Sequence, residues 1–193
     1  MLPACRRQRR RSWRPCAAAA GSSGSPGGLS DEVLYGDEIP LSRLQAQLEA
    51  AIEAEEYEEA AQLRDVLQRR RFDARLAVEE ANDRFYKAFQ SGSLADMAEV
   101  WGKGEHVQCI HPLGNCIAGR QAVMDSWKAI LGAGRLRISV EDVRVFAGDS
   151  QAFVTCVETA ESSEGRGRIA ATNVFERQGG AWKLVHHHGS PAR

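Results

Sequence analysis

No stretch of this 193-residue chain approaches the run of about 18 apolar residues needed to cross a bilayer, which excludes a polytopic membrane protein. Proline is scarce at 6 residues, and the 18 glycines follow no triplet repeat, so the chain is not collagen-like. The cysteines, Cys5, Cys16, Cys109, Cys116 and Cys156, show no CxxC spacing. Two fall near the start and three remain, an odd number, which points to neither a disulfide framework nor a zinc knuckle. They read as reduced thiols acting as small hydrophobes. Acidic residues are missing from the first thirty positions, which hold six arginines. The rest of the chain holds nineteen basic against twenty-six acidic residues, so the body is acidic. That excludes a general nucleic-acid surface, because neutralising phosphates needs clustered Lys and Arg. What is present, 43% hydrophobic and 26% charged residues, is the composition of a soluble globular protein with one ordinary domain and additions.

Residues 1–30 run Arg6, Arg7, Arg9, Arg10, Arg11 and Arg14 into a four-alanine run and then Gly, Ser and Pro, with Asp31 the first acid. An Arg-rich, Ser-containing, acid-free start is the pattern of an organellar transit peptide, and no apolar core of a secretory signal is present. The Ala/Ser/Gly/Pro bias favours chloroplast over mitochondrion. A basic tail or a nuclear-localisation patch at Arg6–Arg11 is the plain alternative. This leader is expected to be disordered, followed by a linker over 31–40.

After Pro40, Leu41, Leu44, Leu48 and Ile52 recur at three- and four-residue steps, one face of a helix. Ser42 is a candidate cap. Tyr57, Ala60, Ala61, Leu63, Arg64 and Leu67 form a second stripe, with small Ala60 and Ala61 allowing close approach. An acidic block at Glu53–Glu59 precedes a basic one from Arg64 to Arg75. That segregation suits two antiparallel helices turning near Glu55–Glu56, or one long helix matched to its own dipole. The run Glu56-Tyr57-Glu58-Glu59-Ala60-Ala61-Gln62-Leu63-Arg64-Asp65, with Leu44 and Leu48 upstream, resembles the UVR motif of excision-repair subunits B and C, Clp ATPases and some plastid regulators. The resemblance covers 41–75 and implies a helical hairpin that pairs with another hairpin. It assigns partner binding to Leu44, Leu48, Tyr57, Ala60, Ala61, Arg64 and Asp65. DNA repair is not implied by it.

From Val78 the pattern changes. Val78, Ala81, Phe85, Ala88 and Phe89 share a helical face, Leu94–Trp101 forms a short helix capped by Ser93, and Gln121–Leu131 forms another with Val123, Trp127 and Ile130 inward. A strand over 106–111, a turn at 112–115 and a return strand at 116–118 lie between the second and third helices. Four strands follow at about 136–147, 150–161, 165–178 and 181–189. The turns Gly148-Asp149, Ser163-Glu164 and Gly179-Gly180 demand antiparallel neighbours. The fold class expected is therefore α+β, a cone-shaped curved antiparallel sheet packed on three helices. Ile110-His111-Pro112, Ile117-x-Gly119-Arg120-x-Ala122-Val123-x-x-Ser126-Trp127, Ala171-Thr172-Asn173-Val174-Phe175 and Trp182-x-x-Val185-His186-His187-His188-x-Ser190-Pro191 resemble the SnoaL-like branch of the nuclear transport factor 2-like superfamily over 78–191. That resemblance implies a pocket between helices and sheet, and members that commonly dimerise through the sheet. It does not imply one activity, since isomerases, cyclases, dehydratases, transport adaptors and kinase association domains share the fold.

The pocket residues so implied are Trp101, His111, Trp127, Asn173, His186 and His188. Enzymes of this kind place a carboxylate or histidine against an apolar wall. No Asp of this chain matches the expected position, and no carboxylate partner for His111 or the His186–His188 pair can be assigned from spacing. His186 and His188 share one strand face, and with His111 or Cys109 they have the makings of a zinc site. A hydrogen-bonded structural histidine is the commoner case, so no metal and no cofactor are assigned. Trp101, Trp127 and Trp182 read as core anchors. The function expected is a non-catalytic plastid adaptor. The hairpin would bind a protein partner, a Clp-type chaperone or another hairpin, and the cone would form a homodimer or hold a small apolar ligand. The alternative is an isomerase, cyclase or hydrolase using a pocket histidine. Neither nucleic acid nor membrane is expected as a partner.

Overall fold

A computed structural model describes residues 39–133, 137–162 and 165–192. The arginine-rich leader and most of the linker lie outside these residues, as does the Ser163-Glu164 turn. Among the described residues no helix is long and apolar enough to cross a membrane.

Helix α1 spans Leu41–Glu53 and α2 spans Tyr57–Ser91. The chain reverses between them at Ala54–Glu56, where Glu55 takes φ +60° and the Glu56 amide reaches back to the Ala51 carbonyl at 2.9 Å. That six-to-one bond ends α1 without glycine. Leu41, Leu44 and Ala51 are buried against Ala60, Leu63, Val66 and Leu67, giving the hairpin its own small core. The cap expected from Ser42 is replaced. Both Leu41 and Ser42 donate their amides to the carboxylate of Asp149, in the turn between two distant strands. Asp149 can accept two amides at once, whereas the Ser42 hydroxyl itself turns to Asp149, 3.3 Å away.

Helix α2 does not stop between hairpin and domain. Its 35 residues contain no Gly or Pro, so nothing breaks it until Gly92 takes φ +70° and lets Ser93 bond back to Ala88. Ser93 then caps α3 (Leu94–Val100) by accepting the Asp96 amide at 3.1 Å. Strands β1 (Gln108–Ile110) and β2 (Cys116–Ala118) precede α4 (Arg120–Gly132). Four long strands close the chain: β3 (Arg137–Ala147), β4 (Gln151–Ser162), β5 (Gly165–Gln178) and β6 (Ala181–Pro191). They form one sheet in the order β2-β1-β6-β5-β4-β3. The hairpin-linked strands β3 to β6 are antiparallel as their short turns require. One pair departs from the expected pattern: β1 lies parallel to β6, with Gln108 opposite His186. The two are joined through α4 and the other three long strands rather than by a tight turn, so no hairpin geometry constrains them.

Two bulges bend the sheet. In β3, Asp142 and Val143 together face the single residue Cys156, one residue more than a regular ladder needs, with Asp142 at φ +53°. Val185 is the extra residue in β6, because Val174 faces His186 while Phe175 faces Leu184. Each raises local twist and reverses the in–out alternation beyond it. The core lies between α2, α3, α4 and the inner sheet face, and is built on Val78, Phe85, Met97, Trp101, Trp127, Val154, Phe175 and Leu184. Arg120, at the start of α4, donates to the carbonyls of Ala98, Trp101 and Gly102, and so satisfies the open end of α3.

Candidate functional site: the polar interior of the cone

The interior carries an unexpected polar chain. Tyr86 on α2 donates its hydroxyl to Glu158 Oε1 on β4 at 2.7 Å, and the Cys156 sulfur lies 3.1 Å from the Tyr86 hydroxyl oxygen. Asn173 on β5 donates its Nδ2 to Asn82 Oδ1 (2.8 Å) and to the Tyr86 hydroxyl (3.2 Å). Its Oδ1 is then left as an acceptor for His187 Nδ1, 2.7 Å away, which places the imidazole proton on Nδ1. Asn82, Tyr86, Glu158, Asn173 and His187 are all no more than 4% exposed.

Burial governs the electrostatics. It pushes the Glu158 carboxyl above the usual carboxylate range, although the Tyr86 hydrogen bond pulls the other way. Burial, followed by the nearby Glu158 charge, pushes the Tyr86 phenol far up. Burial holds His187 down to about 3, with His111, His186 and His188 adding to the effect. The interior therefore favours neutral groups throughout, as a low-polarity environment must.

The six residues expected to line a pocket separate into two sets. Trp101, His111, Trp127 and Asn173 do meet inside the cone. Trp127 stands edge-on to Phe85 (5.5 Å between centroids), Phe89 (4.9 Å) and His111 (5.0 Å). His186 and His188 do not join them, which corrects the pocket assignment. The Val185 bulge shifts the alternation, so Trp182 and Leu184 point inward before it and His187 after it. His187 takes the interior place, its ring tilted against Phe85 with centroids 5.3 Å apart. His186 and His188 sit on the outer face with rings 6.4 Å apart. Zinc ligation by the pair with His111 or Cys109 is thereby ruled out geometrically, and no cluster of three His, Cys, Asp or Glu suited to a metal exists among the described residues.

His111 is half-buried, and burial lowers its pKa. Its Nε2 is 3.0 Å from Ser126 Oγ, whose own proton goes to the Val123 carbonyl. The Cys109 sulfur lies 3.6 Å from the ring, but burial pushes this thiol up to about 12. Burial thus works against the thiolate that a nucleophilic Cys109–His111 pair would need. The indole N–H groups of Trp101 and Trp127 are buried and find no acceptor among the described residues. Large rings fill the interior: Phe85, Trp101, Trp127 and Phe175 are each at most 2% exposed.

Spacing alone failed to identify Glu158, yet a signal for it exists. It continues the alternation Ala152, Val154, Cys156, so it is a carboxylate in phase with a buried stripe. Asn82 and Tyr86 likewise lie in phase with Val78 and Phe85 on α2.

The hairpin residues also divide. Leu44 is fully buried and Ala60 nearly so, because they hold α1 against α2. This removes both from the docking face expected of them. Leu48 and Ala61 are half-covered. Tyr57, 67% exposed, remains on the surface, as do Arg64 and Asp65, which pair with each other at 2.7 Å. Ile52, Phe72 and Leu76 are further exposed apolar side chains on these two helices.

A curved sheet wrapped on three helical segments, with buried polar groups threaded through an aromatic interior, defines a cone-shaped α+β domain. The chain belongs to the SnoaL-like domain family, whose model matches residues 78–193, and the UvrB/uvrC motif matches residues 38–69. A solved structure from Thiobacillus denitrificans, described as a calcium/calmodulin-dependent protein kinase type II association domain, is 39% identical, with TM-score 0.55 over 60% of this chain and 94% of that one. A protein from Streptomyces avermitilis described as a dehydratase of the NTF2-like family is 30% identical, with TM-score 0.58 over 62% of this chain and 96% of the other. The F-box protein SKIP8 of Arabidopsis thaliana is 31% identical over 115 residues, 59% of this chain. The chain spans about half the length of that curated relative, 49%.

Proposed function

We propose that this is a plastid adaptor in which the hairpin recruits a protein partner and the cone self-associates. The observation that carries the reading is the division of labour between two cores. The hairpin closes its own small core and leaves Tyr57, Arg64 and Asp65 at the surface, while the cone interior is filled by aromatic rings. The partner is a Clp-type chaperone or another protein bearing a hairpin of the same kind. The address rests on the arginine-rich, acid-free start.

Self-association is supported by the outer sheet face. Its central positions, Gln108, Thr155, Thr172, Val174, His186 and His188, carry no Lys, Arg, Asp or Glu, and a stacked Phe146–Phe153 pair stands exposed beside them. Four strands spaced about 4.8 Å apart and roughly 36 Å long offer roughly 700 Å², which β1 and β2 extend, against about 800 Å² per partner in a standard interface. The relative described as a kinase association domain supports assembly as the use of the cone.

The recruitment is tested by titrating a purified Clp-type chaperone carrying a UVR hairpin with the full chain and with a Tyr57→Ala/Arg64→Ala variant. Binding that is lost in the variant supports the reading. No binding by the wild-type chain, or equal binding by both, overturns it. A second reading, an isomerase, cyclase or hydrolase acting within the cone, is favoured by one set of observations: the Tyr86–Glu158 pair and the two unpaired indole N–H groups, which a small ligand bearing hydrogen-bond acceptors would satisfy.

A further inference from the structure

The outer face holds the only two histidines of the final strand that the interior does not use. His186 and His188 lie on β6, which sits third of six in the sheet, between β1 and β5. Their flanking partners are neutral: Gln108 and Ile110 on β1, Val174 and Thr172 on β5. Beyond β1, β2 presents Cys116, whose sulfur lies 3.9 Å from Gln108 Oε1. On the other side, Thr155, Ala170, Thr172, His188 and Ser190 line a shallow groove with Asp142 and Arg144 at its β3 wall. The remaining charges lie at the margins: the Arg168–Glu141 pair (2.9 Å) towards one end, and the His106–Glu176 pair (2.7 Å) with Lys183 towards the other. Asp142 shares the groove with His188 from the β3 side beside Arg144, but among the described residues no carboxylate pairs directly with either imidazole, so protonation would place positive charge at the centre of the face without an ion-pair partner.

Resting on the self-association proposed above, we infer that a second copy of this chain docks against this face with β6 near the two-fold axis, and that His186 and His188 gate the assembly by pH. In an isologous pairing the same patch meets itself, so an element near the axis meets its own copy. Four imidazoles are then brought together in a setting from which water is displaced. Neutral rings tolerate this, but charged ones repel and must shed hydration. Within a single protomer burial, then the neighbouring His188, already lowers the pKa of His186, so its share of the response begins below the ordinary histidine value. Association therefore holds at pH above the ordinary histidine value and weakens as pH falls below it. Each imidazole that must stay neutral in the pair costs up to about tenfold in Kd per pH unit below the pKa it holds in the free protomer, so one histidine per protomer costs up to about 100-fold for each unit below that value.

Sedimentation velocity of the full chain between pH 8.0 and 5.5 at constant ionic strength tests this, with tryptophan fluorescence confirming that the fold persists. The expected result is a dimer at pH 8.0 that dissociates towards pH 5.5, and a His186→Gln/His188→Gln variant that stays dimeric throughout. His188→Gln alone, at the more exposed of the two positions, is expected to reduce the pH response and provides a second variant. A wild-type dimer indifferent to pH overturns the gate and leaves self-association standing. A monomer at pH 8.0 overturns both. Dissociation that is the same in the double variant, or that coincides with loss of the fold, assigns the response to other groups and overturns the gate.

Discussion

Acid should destabilise the cone through one residue, His187. The imidazole is 2% exposed, gives its Nδ1 proton to Asn173, and lies against Phe85 and Trp127. Its pKa falls to about 3 in the folded chain, chiefly from burial, against about 6.5 when unfolded. The unfolded chain then binds the extra proton throughout that interval. The neutral interior thus contributes stability that is fully present above pH 6.5 and is lost as pH falls towards about 3. At about 1.4 kcal/mol per pH unit, the loss is about 2 kcal/mol at pH 5 and about 5 kcal/mol across the whole window. His187→Asn isolates the effect, because the asparagine amide can still donate to Asn173 Oδ1 but cannot titrate. The cavity beside Phe85 lowers the variant's stability at every pH, so the informative quantity is the slope. Urea unfolding followed by the buried Trp101, Trp127 and Trp182 at pH 7.5, 6.5, 5.5 and 5.0 measures it. The wild type should fall more steeply below pH 6.5 than the variant by about 1.4 kcal/mol per unit. Parallel curves would refute the assignment of His187 as a neutral interior residue.

Glu158 should respond with the opposite sign. Its folded pKa is raised, so the native state keeps a proton that the unfolded state loses, and its contribution declines as pH rises from about 4.3 through the folded value. Glu158→Gln retains an acceptor for Tyr86 and removes that decline, so its melting temperature relative to wild type should be higher at pH 8 than at pH 5, and equal differences at the two would exclude the mechanism. Asp149→Ala removes the acceptor shared by the Leu41 and Ser42 amides and should cost about 1 kcal/mol of local stability. Hydrogen exchange should accelerate in the first turn of α1 and stay unchanged in the β5–β6 ladder, and uniform acceleration would refute a local cap.

The long-range architecture was legible because each level of the sequence agrees with the next. Alternation in 152–157, turn residues at Gly148-Asp149 and Gly179-Gly180, and Ser93 before Leu94 each act over a few residues, and the structure keeps all of them. What the sequence hid depends on contacts distant along the chain. The Val185 bulge leaves no local mark, since any residue can be the extra one, and it alone decides that His187 rather than His186 and His188 enters the interior. The cap of α1 comes from Asp149, 108 positions from Leu41. Glu158 was visible by phase but not by chemistry: a glutamate in a strand ordinarily faces water, and only Tyr86, 72 positions away, makes its burial tolerable.

The continuity of α2 bears on what the two parts can do for each other. The UvrB/uvrC motif ends at residue 69 and the SnoaL-like domain begins at 78, yet residues 70–77 between them are helical. At about 1.5 Å per residue, Tyr57 stands about 30 Å along the helix from Val78, where the cone's core begins. Arg70 reaches from α2 to the Ile39 carbonyl, and Asp149 holds the start of α1, so both helices of the hairpin are tied at its base. The exposed tip is therefore held at a set distance from the cone's core. Any coupling between them must run through the helix or through assembly of the sheet face. Recruitment at one end and self-association at the other would then present two copies of the partner-binding tip on a rigid frame, raising avidity without any new contact.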